Sequence, residues 1–502
     1  MQKFLTDKSI FYSKQTVALL ALFFIIRVAS FLLVGHEFYQ GVLVFSLLLV
    51  MAILYFKNPE WAWCMLLTEI FLGGSGHYFE LAGLSIRTLF IITFLFLWLA
   101  HHFGQKLLPQ RLKIQTNLNY ILLVLFASLI FAAVNGFLNK NDIGNIIQDL
   151  MPFGFLLLLF PSFYSFSNEK TQHYLVRLIA VFIIGTALFA FLTFVLFSSQ
   201  TLLIHQDFYK WFRDVNVGKI TDMKTGFFRI VEPSHLFIVP IILLITSLRM
   251  RAEKHNRMWW VMLILAIFIL DLNLSRGYFL ALAIGLLVLK YKHTWKKWFF
   301  ESLSVVLLII GIFTATHLFA SGGVSPGWEL LGLRVRSFAS PEIEISTNTR
   351  MMILPQIWEK IKTAPFLGGG LGSEVTFLNT ATYETITTQH FDWGYLEMWT
   401  ELGIIGGLAL LGLYLFTAVL LIKKIKTAPD WHDFDVGLLA GIIALLVMNV
   451  TLPALFHVFG ILFLVFVLTV AVKQMNIFEG IIAILYRIFN KLKIGKNRPL
   501  SS

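Results

Sequence analysis

The sequence predicts an all-α polytopic membrane protein with about twelve to fourteen transmembrane helices. Of its 502 residues, 58% are hydrophobic and 14% are charged, and the mean hydropathy is +0.78. A soluble globular chain averages roughly 25% charged residues, so this chain has too few charges to cover a water-facing surface. Apolar runs long enough to cross a bilayer, which takes about 17–25 residues, recur along the chain.

Fourteen apolar runs are candidate spans, and two short ones, 61–76 and 150–165, are expected to span, to tilt or to be re-entrant. The other twelve lie near 16–34, 41–56, 86–104, 119–138, 174–197, 234–248, 258–273, 275–289, 299–318, 394–422, 434–450 and 453–472.

These runs divide the chain into five regions. They are N-terminal transmembrane helices over 1–197, middle transmembrane helices over 198–318 with a first outer loop at 198–233, a cap loop over 319–393, C-terminal transmembrane helices over 394–475 and an amphipathic cytoplasmic tail over 476–502.

The distribution of positive charge predicts the topology. With a cytoplasmic N-terminus, 25 of the 40 Lys and Arg fall in cytoplasmic segments and 12 in outer ones, while Arg27, Arg87 and Arg177 lie inside spans. This positive-inside pattern puts both termini in the cytoplasm. The net charge of +12 then reflects topology and attraction to anionic membrane lipids, so nucleic acid is not an expected partner.

The long outer loops are expected to form ordered structure. The larger loop is rich in apolar residues, which argues for an ordered extracytoplasmic cap. Helical periodicity from Thr349 to Thr363 predicts a cap helix that begins at Asn348 or Thr349. Pro355 is expected to start or kink this helix.

Three outer Arg residues are candidate ligands for a phosphorylated, membrane-held substrate. Arg229 precedes a span, Arg276 lies at the tip of the 258–289 hairpin, and Arg350 comes from the cap loop. A charge near membrane depth persists when it faces a partner or a wet cavity, and guanidinium binds phosphate bidentately. The alternative is that a single Arg extends to lipid headgroups or pairs with Asp271.

A second polar group begins the next long helix. His390 and Asp392 lie just before it, where an acid/base group meets both water and substrate, although Asp392 also suits a helix cap. Glu397 and Glu401 share one helical face within membrane depth, next to Tyr395, and each is as suited to pairing with an Arg as to catalysis.

Other motifs carry less. The glycine-rich segment 368–373 lacks the Lys of a P-loop and is interpreted as a flexible turn. Asp433-Phe434-Asp435 resembles a D-x-D metal motif but falls on the cytoplasmic side, where we interpret it as a solvated linker. No His/Cys cluster appears, so no metal site and no cofactor are expected.

These motifs together resemble the O-antigen ligase/O-antigen polymerase family. The resemblance rests on Arg350 and Trp358, on the P-x-x-G-x-G-x-G pattern at 365–372, on Tyr395-Leu396 and on E-x-G-x-x-G at 401–406. Leu274-Ser275-Arg276-Gly277 is similar to the family's Ser-Arg-Gly turn, and the segment around Arg229 and Glu232 resembles that of exopolysaccharide polymerases. The match covers roughly 225–415.

The resemblance implies a GT-C-like glycosyltransferase of the bacterial cytoplasmic (inner) membrane that acts on its outer, periplasmic face. Its donor would be a glycan on undecaprenyl diphosphate, and its acceptor a lipid A core sugar or another lipid-linked glycan. Arg276, Arg229 and Arg350 would hold the diphosphate, with Arg276 also stabilising charge during transfer, while His390, Asp392 or Glu232 would activate the acceptor hydroxyl. Metal is not expected.

One departure favours a polymerase, or a less typical ligase. Ligases place His three residues before the Tyr of the Tyr-Leu pair, where this chain has Asp392, and His390 lies five residues before it. A lipid-linked sugar flippase or other transporter remains the alternative class. Transporters often contain internal repeats, and the sequence shows no convincing one.

Overall fold

The structure, a computed structural model, describes residues 13–104, 116–165, 168–199, 205–223, 226–251, 257–339, 345–379, 383–427 and 432–472. These residues form a helical bundle with three two-stranded antiparallel hairpins, which confirms the predicted all-α polytopic class. The amphipathic helix predicted in the tail 476–502 lies outside the described residues.

Eight helices come from the first two hundred residues. They are α1 (Lys14–Leu33), α2 (Glu37–Lys57), α3 (Pro59–Leu72), α4 (Ile86–Gly104), α5 (Thr116–Leu138), α6 (Ile143–Gly154), α7 (Leu159–Ser165) and α8 (Glu169–Ser198).

Ten further helices follow along the described chain. They are α9 (His205–Asp214), α10 (Ile238–Arg251), α11 (Arg257–Asn273), α12 (Arg276–Val288), α13 (Trp295–Ala320), α14 (Trp328–Ala339), α15 (Ile345–Thr363), α16 (Gly394–Thr427), α17 (His432–Met448) and α18 (Val458–Val472).

The hairpins lie between helices. They pair β1 (Glu80–Leu81) with β2 (Leu84–Ser85), β3 (Lys219–Asp222) with β4 (Phe228–Val231), and β5 (Val375–Asn379) with β6 (Glu384–Thr388).

Each of the fourteen predicted apolar runs overlaps a helix in the structure, and in the described part eight helical segments have the length and hydropathy of a membrane span. These eight are Lys14–Leu33, Glu37–Lys57, Leu118–Leu138, Ile143–Phe163, Glu169–Ser198, Pro233–Met250, Trp295–Ala320 and Gly394–Thr427. Shorter apolar helices cover Ile86–His101, Arg276–Val288 and Val458–Val472. The count of twelve to fourteen spans stays a prediction.

The run predicted at 150–165 begins earlier and is broken. The Asp142 side chain caps α6 by accepting from Asn145 N at 3.1 Å, so the helix starts at Ile143. Pro152 lies near its end, and a 3-10 turn at Phe155–Leu158 separates α6 from α7. Proline disfavours a straight helix because it removes an N–H donor and clashes with the preceding turn.

The segments predicted to face outward contact one another at one end of the bundle. The Asn141 side chain donates to Leu371 O at 2.7 Å, and Gln389 donates to Gln148 at 2.8 Å. Asn145 donates to Glu374 at 2.7 Å. These contacts agree with the predicted loops, which alternate between the two sides of the membrane. The assignment of this end to the outer face stays a prediction.

Basic residues at the opposite end form ion pairs. Arg249 contacts Glu301 at 2.9 Å, and Lys424 contacts Asp435 at 2.9 Å. The interpretation of Asp433-Phe434-Asp435 as a solvated linker was wrong. Both carboxylates are buried in the first turn of α17. A buried acid needs a partner, and Lys424 is the partner of Asp435.

The cap loop is ordered over its described residues, but its main helix differs from the prediction. The helix α15 begins at Ile345, four residues before Thr349, and Pro355 lies inside it. Its apolar side packs on the β5–β6 hairpin and on the start of α16, in a small core that includes Ile353, Ile357 and Phe377.

Candidate functional site

The glycine-rich segment fixes the cap to the bundle. The side chains of Asn135 and Asn139 donate to the carbonyls of Gly368 at 2.8 Å and Gly369 at 2.9 Å. Gly369 N donates in turn to Thr400 O at 2.7 Å. The interpretation of 368–373 as a flexible turn was therefore wrong, because side chains of α5 and the backbone of α16 bind its peptide groups.

A second glycine lets α16 bend around this segment. Gly403 has φ 66° and ψ −177°, so α16 is two helices joined at a kink. A Cβ at Gly403 would collide with Phe366 O, and one at Gly368 would collide with Glu401 O. The segments that carry the G-x-G-x-G and E-x-G patterns therefore contact each other through their backbones. This contact positions the start of α16.

Arg229 and Arg276 lie at the same turn. Arg229 Nε donates to Asn273 O at 2.6 Å, three residues before Arg276, which is the first residue of α12. Both Arg residues are partly exposed. Leu274 adopts φ 46° and is buried, so its side chain anchors the tight connection that presents Arg276.

A buried polar cluster packs against this turn and holds it in place. His235 Nδ1 accepts from Asn273 Nδ2 at 3.1 Å and from Glu232 N at 3.3 Å. The Glu232 carboxylate lies 4.0 Å from Arg27 Nη2 and is 1% exposed. Burial raises the pKa of Glu232 to about 7, even though Arg27 acts to lower it. The cluster thus joins α1, the segment before α10 and the α11–α12 turn.

His390 and Glu397 form a pair in which one member is exposed and the other buried. His390 Nδ1 lies 3.5 Å from Glu397 Oε1, with the His390 side chain 53% exposed and Glu397 2% exposed. Glu397 Oε2 also accepts from Phe391 N at 3.0 Å, which fixes the carboxylate. The hydrogen bond to Glu397 raises the pKa of His390. A buried carboxylate that orients an exposed imidazole is an arrangement suited to acid/base work.

Asp392 pairs with Arg350 instead of lying alone beside the site. Arg350 Nη2 contacts Asp392 Oδ2 at 3.2 Å, and both side chains are partly exposed. Trp393 Nε1 donates to Arg350 O at 3.0 Å, which joins the cap helix α15 to the start of α16. Asp392 has φ 56°, a left-handed conformation that Asp tolerates better than most residues.

The two remaining residues predicted near the site face the interior. Glu401 is 2% exposed and shares a hydrogen bond with Asp149, which also accepts from Gly372 N at 2.8 Å. The Tyr395 hydroxyl donates to Leu446 O at 2.7 Å and fastens α16 to α17.

The α17–α18 connection, residues 449–457, lies between the Arg turn and the His390 segment. A Cβ on Gly277 would collide with the Thr451 hydroxyl, so the start of α12 packs on this connection. A Cβ on Gly394 would clash with Asn449 O, so the start of α16 packs on it as well. The structure thereby brings the two predicted groups to one region of the bundle.

Sequence reasoning missed several polar residues of this region. His457 accepts from Phe459 N at 3.3 Å and lies within electrostatic range of His390 and Arg87. Arg87 pairs with Glu69 at 2.9 Å. Arg27 and Arg87 were detectable because charges inside apolar runs are costly and mark functional or paired positions. Nothing in the sequence pattern marks His457.

The described residues contain no group of three or more His, Cys, Asp or Glu with the proximity to hold a metal ion. Fold and site together therefore describe a polytopic membrane protein with cationic and acid/base side chains gathered at one end of its bundle.

The comparisons with known proteins include a family match. A family model described as O-antigen ligase matches residues 236–411. This match agrees with the family resemblance that the motifs predicted. Searches of curated proteins and of solved structures return no significant match. The match and the apolar helices together support a multi-pass protein of the bacterial inner membrane with a role in cell-surface polysaccharide synthesis.

Proposed function

We propose that this protein transfers a glycan from undecaprenyl diphosphate to an acceptor hydroxyl on the outer face of the bacterial inner membrane. The observation that carries the proposal is the hydrogen bond from Arg229 to the turn that presents Arg276. It brings the Arg229 guanidinium to the turn that carries Arg276, and this supports a shared anion site on the same end of the bundle as His390. The family match supports the reaction class.

The Arg turn is suited to bind the donor's diphosphate. During transfer the bond between the anomeric carbon and the phosphate oxygen breaks, and the lipid diphosphate leaves with the electron pair. Guanidinium groups that are fixed before the reaction stabilise this developing charge without reorganising. Arg350 pairs with Asp392, so we assign it to the rim of the site and not to its centre.

His390 is suited to accept the proton of the acceptor hydroxyl as the oxygen bonds to the anomeric carbon. Of the three predicted acid/base residues, His390 combines exposure with an orienting partner, Glu397. Glu232 is buried, so we assign it to support of the Arg turn. Asp392 is engaged by Arg350, which leaves it a positioning role for the cap.

The acceptor distinguishes a polymerase from a ligase. We favour a polymerase, or a less typical ligase, because Asp392 stands where ligases carry His. A deletion strain that accumulates single repeats on carrier lipid identifies a polymerase. Full-length chains left on carrier lipid identify a ligase.

A transfer assay tests the proposal. Purified protein in proteoliposomes, supplied with undecaprenyl-diphosphate-linked glycan and acceptor, should form a new glycosidic bond, and Arg276→Ala should reduce the rate by about 10²–10³-fold. Arg213→Ala is the matched control, because Arg213 is an exposed Arg of the first outer loop, paired with Asp214. Movement of the lipid across the bilayer without bond formation would instead establish the flippase alternative.

A further inference from the structure

A cavity of about 820 Å³ lies among α1, α2, α3, α4 and α8, in the part of the chain outside the family match. The apolar part of this cavity, here called the shaft, adjoins helices that carry exposed apolar side chains. The residues that line this shaft include Leu19, Leu22, Ile26, Leu47, Met65 and Phe90. Such a lining in a membrane protein suits a hydrocarbon chain.

The cavity is long enough for an acyl chain. Its lining follows α3 from Glu60 to Gly73. Thirteen residues at 1.5 Å of rise each extend about 20 Å. One leaflet of the hydrocarbon core is about 15 Å thick, so the shaft accommodates the full depth of a phospholipid chain.

Basic side chains lie at one end of the cavity. Lys170, His173 and Arg177 line it near the start of α8, beside Gln15 at the start of α1. Arg177 donates from Nη1 to Gln15, while its Nε is buried without a hydrogen-bond partner among the described residues. Glu60 also lines this end, where the Asn168 side chain donates to it at 2.6 Å.

Among the described residues that line the opposite end, none is a Lys or an Arg. Glu69 and Tyr78 line it, and Glu69 pairs with Arg87 at 2.9 Å. An anionic headgroup is therefore favoured beside Lys170 and Arg177 and disfavoured beside Glu69. Lys170 and Gln15 belong to segments that the charge pattern predicts to be cytoplasmic, where membranes present anionic lipid.

We propose that this cavity is a binding site for an anionic glycerophospholipid of the leaflet at which α1, α3 and α8 begin. The phosphate contacts Lys170 and Arg177, and one acyl chain fills the shaft. The headgroup end is separate from the Arg229–Arg276 turn, which lies at the other end of the bundle, so the proposal does not depend on the proposed transfer reaction.

Native mass spectrometry of delipidated protein tests the proposal. Phosphatidylglycerol should be retained in preference to phosphatidylethanolamine, and the Lys170→Gln/Arg177→Gln variant should weaken retention about tenfold or more. Lys290→Gln/Lys292→Gln is the control, because it removes the same charge at a connection away from the cavity. Equal retention of both lipids, or an equal loss in the control, would overturn the proposal.

The unmodified chain provides a second readout. Cys64 lines the cavity and is the single cysteine of the sequence. Phosphatidylglycerol should slow N-ethylmaleimide labelling of Cys64, and phosphatidylethanolamine should not. Labelling that phosphatidylglycerol leaves unchanged overturns the proposal without any variant. Stronger protection by undecaprenyl phosphate would assign the cavity to the carrier lipid and also contradict it.

Discussion

The Arg turn and the His390 segment are held in place by different kinds of contact. Arg229 is fixed by a backbone carbonyl over a buried polar cluster, whereas His390 and Asp392 are exposed and held by charged partners, Glu397 and Arg350. Backbone anchoring is insensitive to pH and salt, while exposed ion pairs respond to both. We therefore expect the Arg turn to be the fixed half of the site, which binds the donor. The His390 segment is then the adjustable half, which receives the acceptor.

Replacement of His390 should have the largest effect. His390→Gln removes the proposed base and should lower the transfer rate by about 10²–10⁴-fold in proteoliposomes. His77→Gln is a matched control, since His77 is a half-exposed His that pairs with Glu80 at 3.1 Å. A His390 variant with the wild-type rate would remove the adjustable half from the chemistry.

Glu232 provides a test of the buried polar cluster through the pH dependence of protein stability. Its native pKa of about 7 lies above the ordinary value of 4.5, so the native state holds a proton that the unfolded chain has lost. Stability should therefore fall as pH rises from 4.5 through 7, by about 3 kcal/mol in all.

Glu232→Gln should abolish that decline. Thermal unfolding in detergent at pH 5 and pH 8 measures it, as the difference between wild type and variant. Glu359→Gln, a change on the exposed face of the cap, should keep the wild-type dependence. A variant that declines as steeply as the wild type would contradict a buried, protonated Glu232.

A Glu397 variant tests whether this buried carboxylate controls the acid/base chemistry of His390. The proposed base must be neutral, so activity should fall as pH drops below the raised pKa of His390. Glu397→Gln removes the charge that raises this pKa and should move the acidic limb to lower pH. The pH–rate profile measures the shift, and an unmoved limb with a lower rate would indicate a merely structural role for Glu397.

The smallest effect is expected at the rim. Asp392→Asn breaks the pair with Arg350, which is partly exposed, so the loss of activity should stay within about tenfold and shrink at high salt. Glu359→Gln breaks a comparable cap pair with Lys362 and serves as the control. A loss as large as that of His390→Gln would make Asp392 the stronger candidate for the base.

The sequence predicted the elements better than their contacts. Hydropathy predicted the apolar helices but not α9 or α14, and the short 258–289 hairpin placed Arg276 at a tip, because these signals are local. The Arg27–Glu232 contact and the bonds from α5 to the glycine segment join positions more than two hundred residues apart, which no local pattern encodes. The pairing of His390 with Glu397 depends on where α16 begins. Their roles in catalysis stay proposals.

Arg229 and Arg276 are proposed to bind one diphosphate together, and a double-mutant cycle measures the coupling between them. Binding of undecaprenyl diphosphate would be compared for wild type, Arg229→Ala, Arg276→Ala and the double variant. Shared binding predicts that the second substitution costs less in the absence of the first Arg, with a coupling of about 0.5–3 kcal/mol. Losses that simply add would contradict a common site.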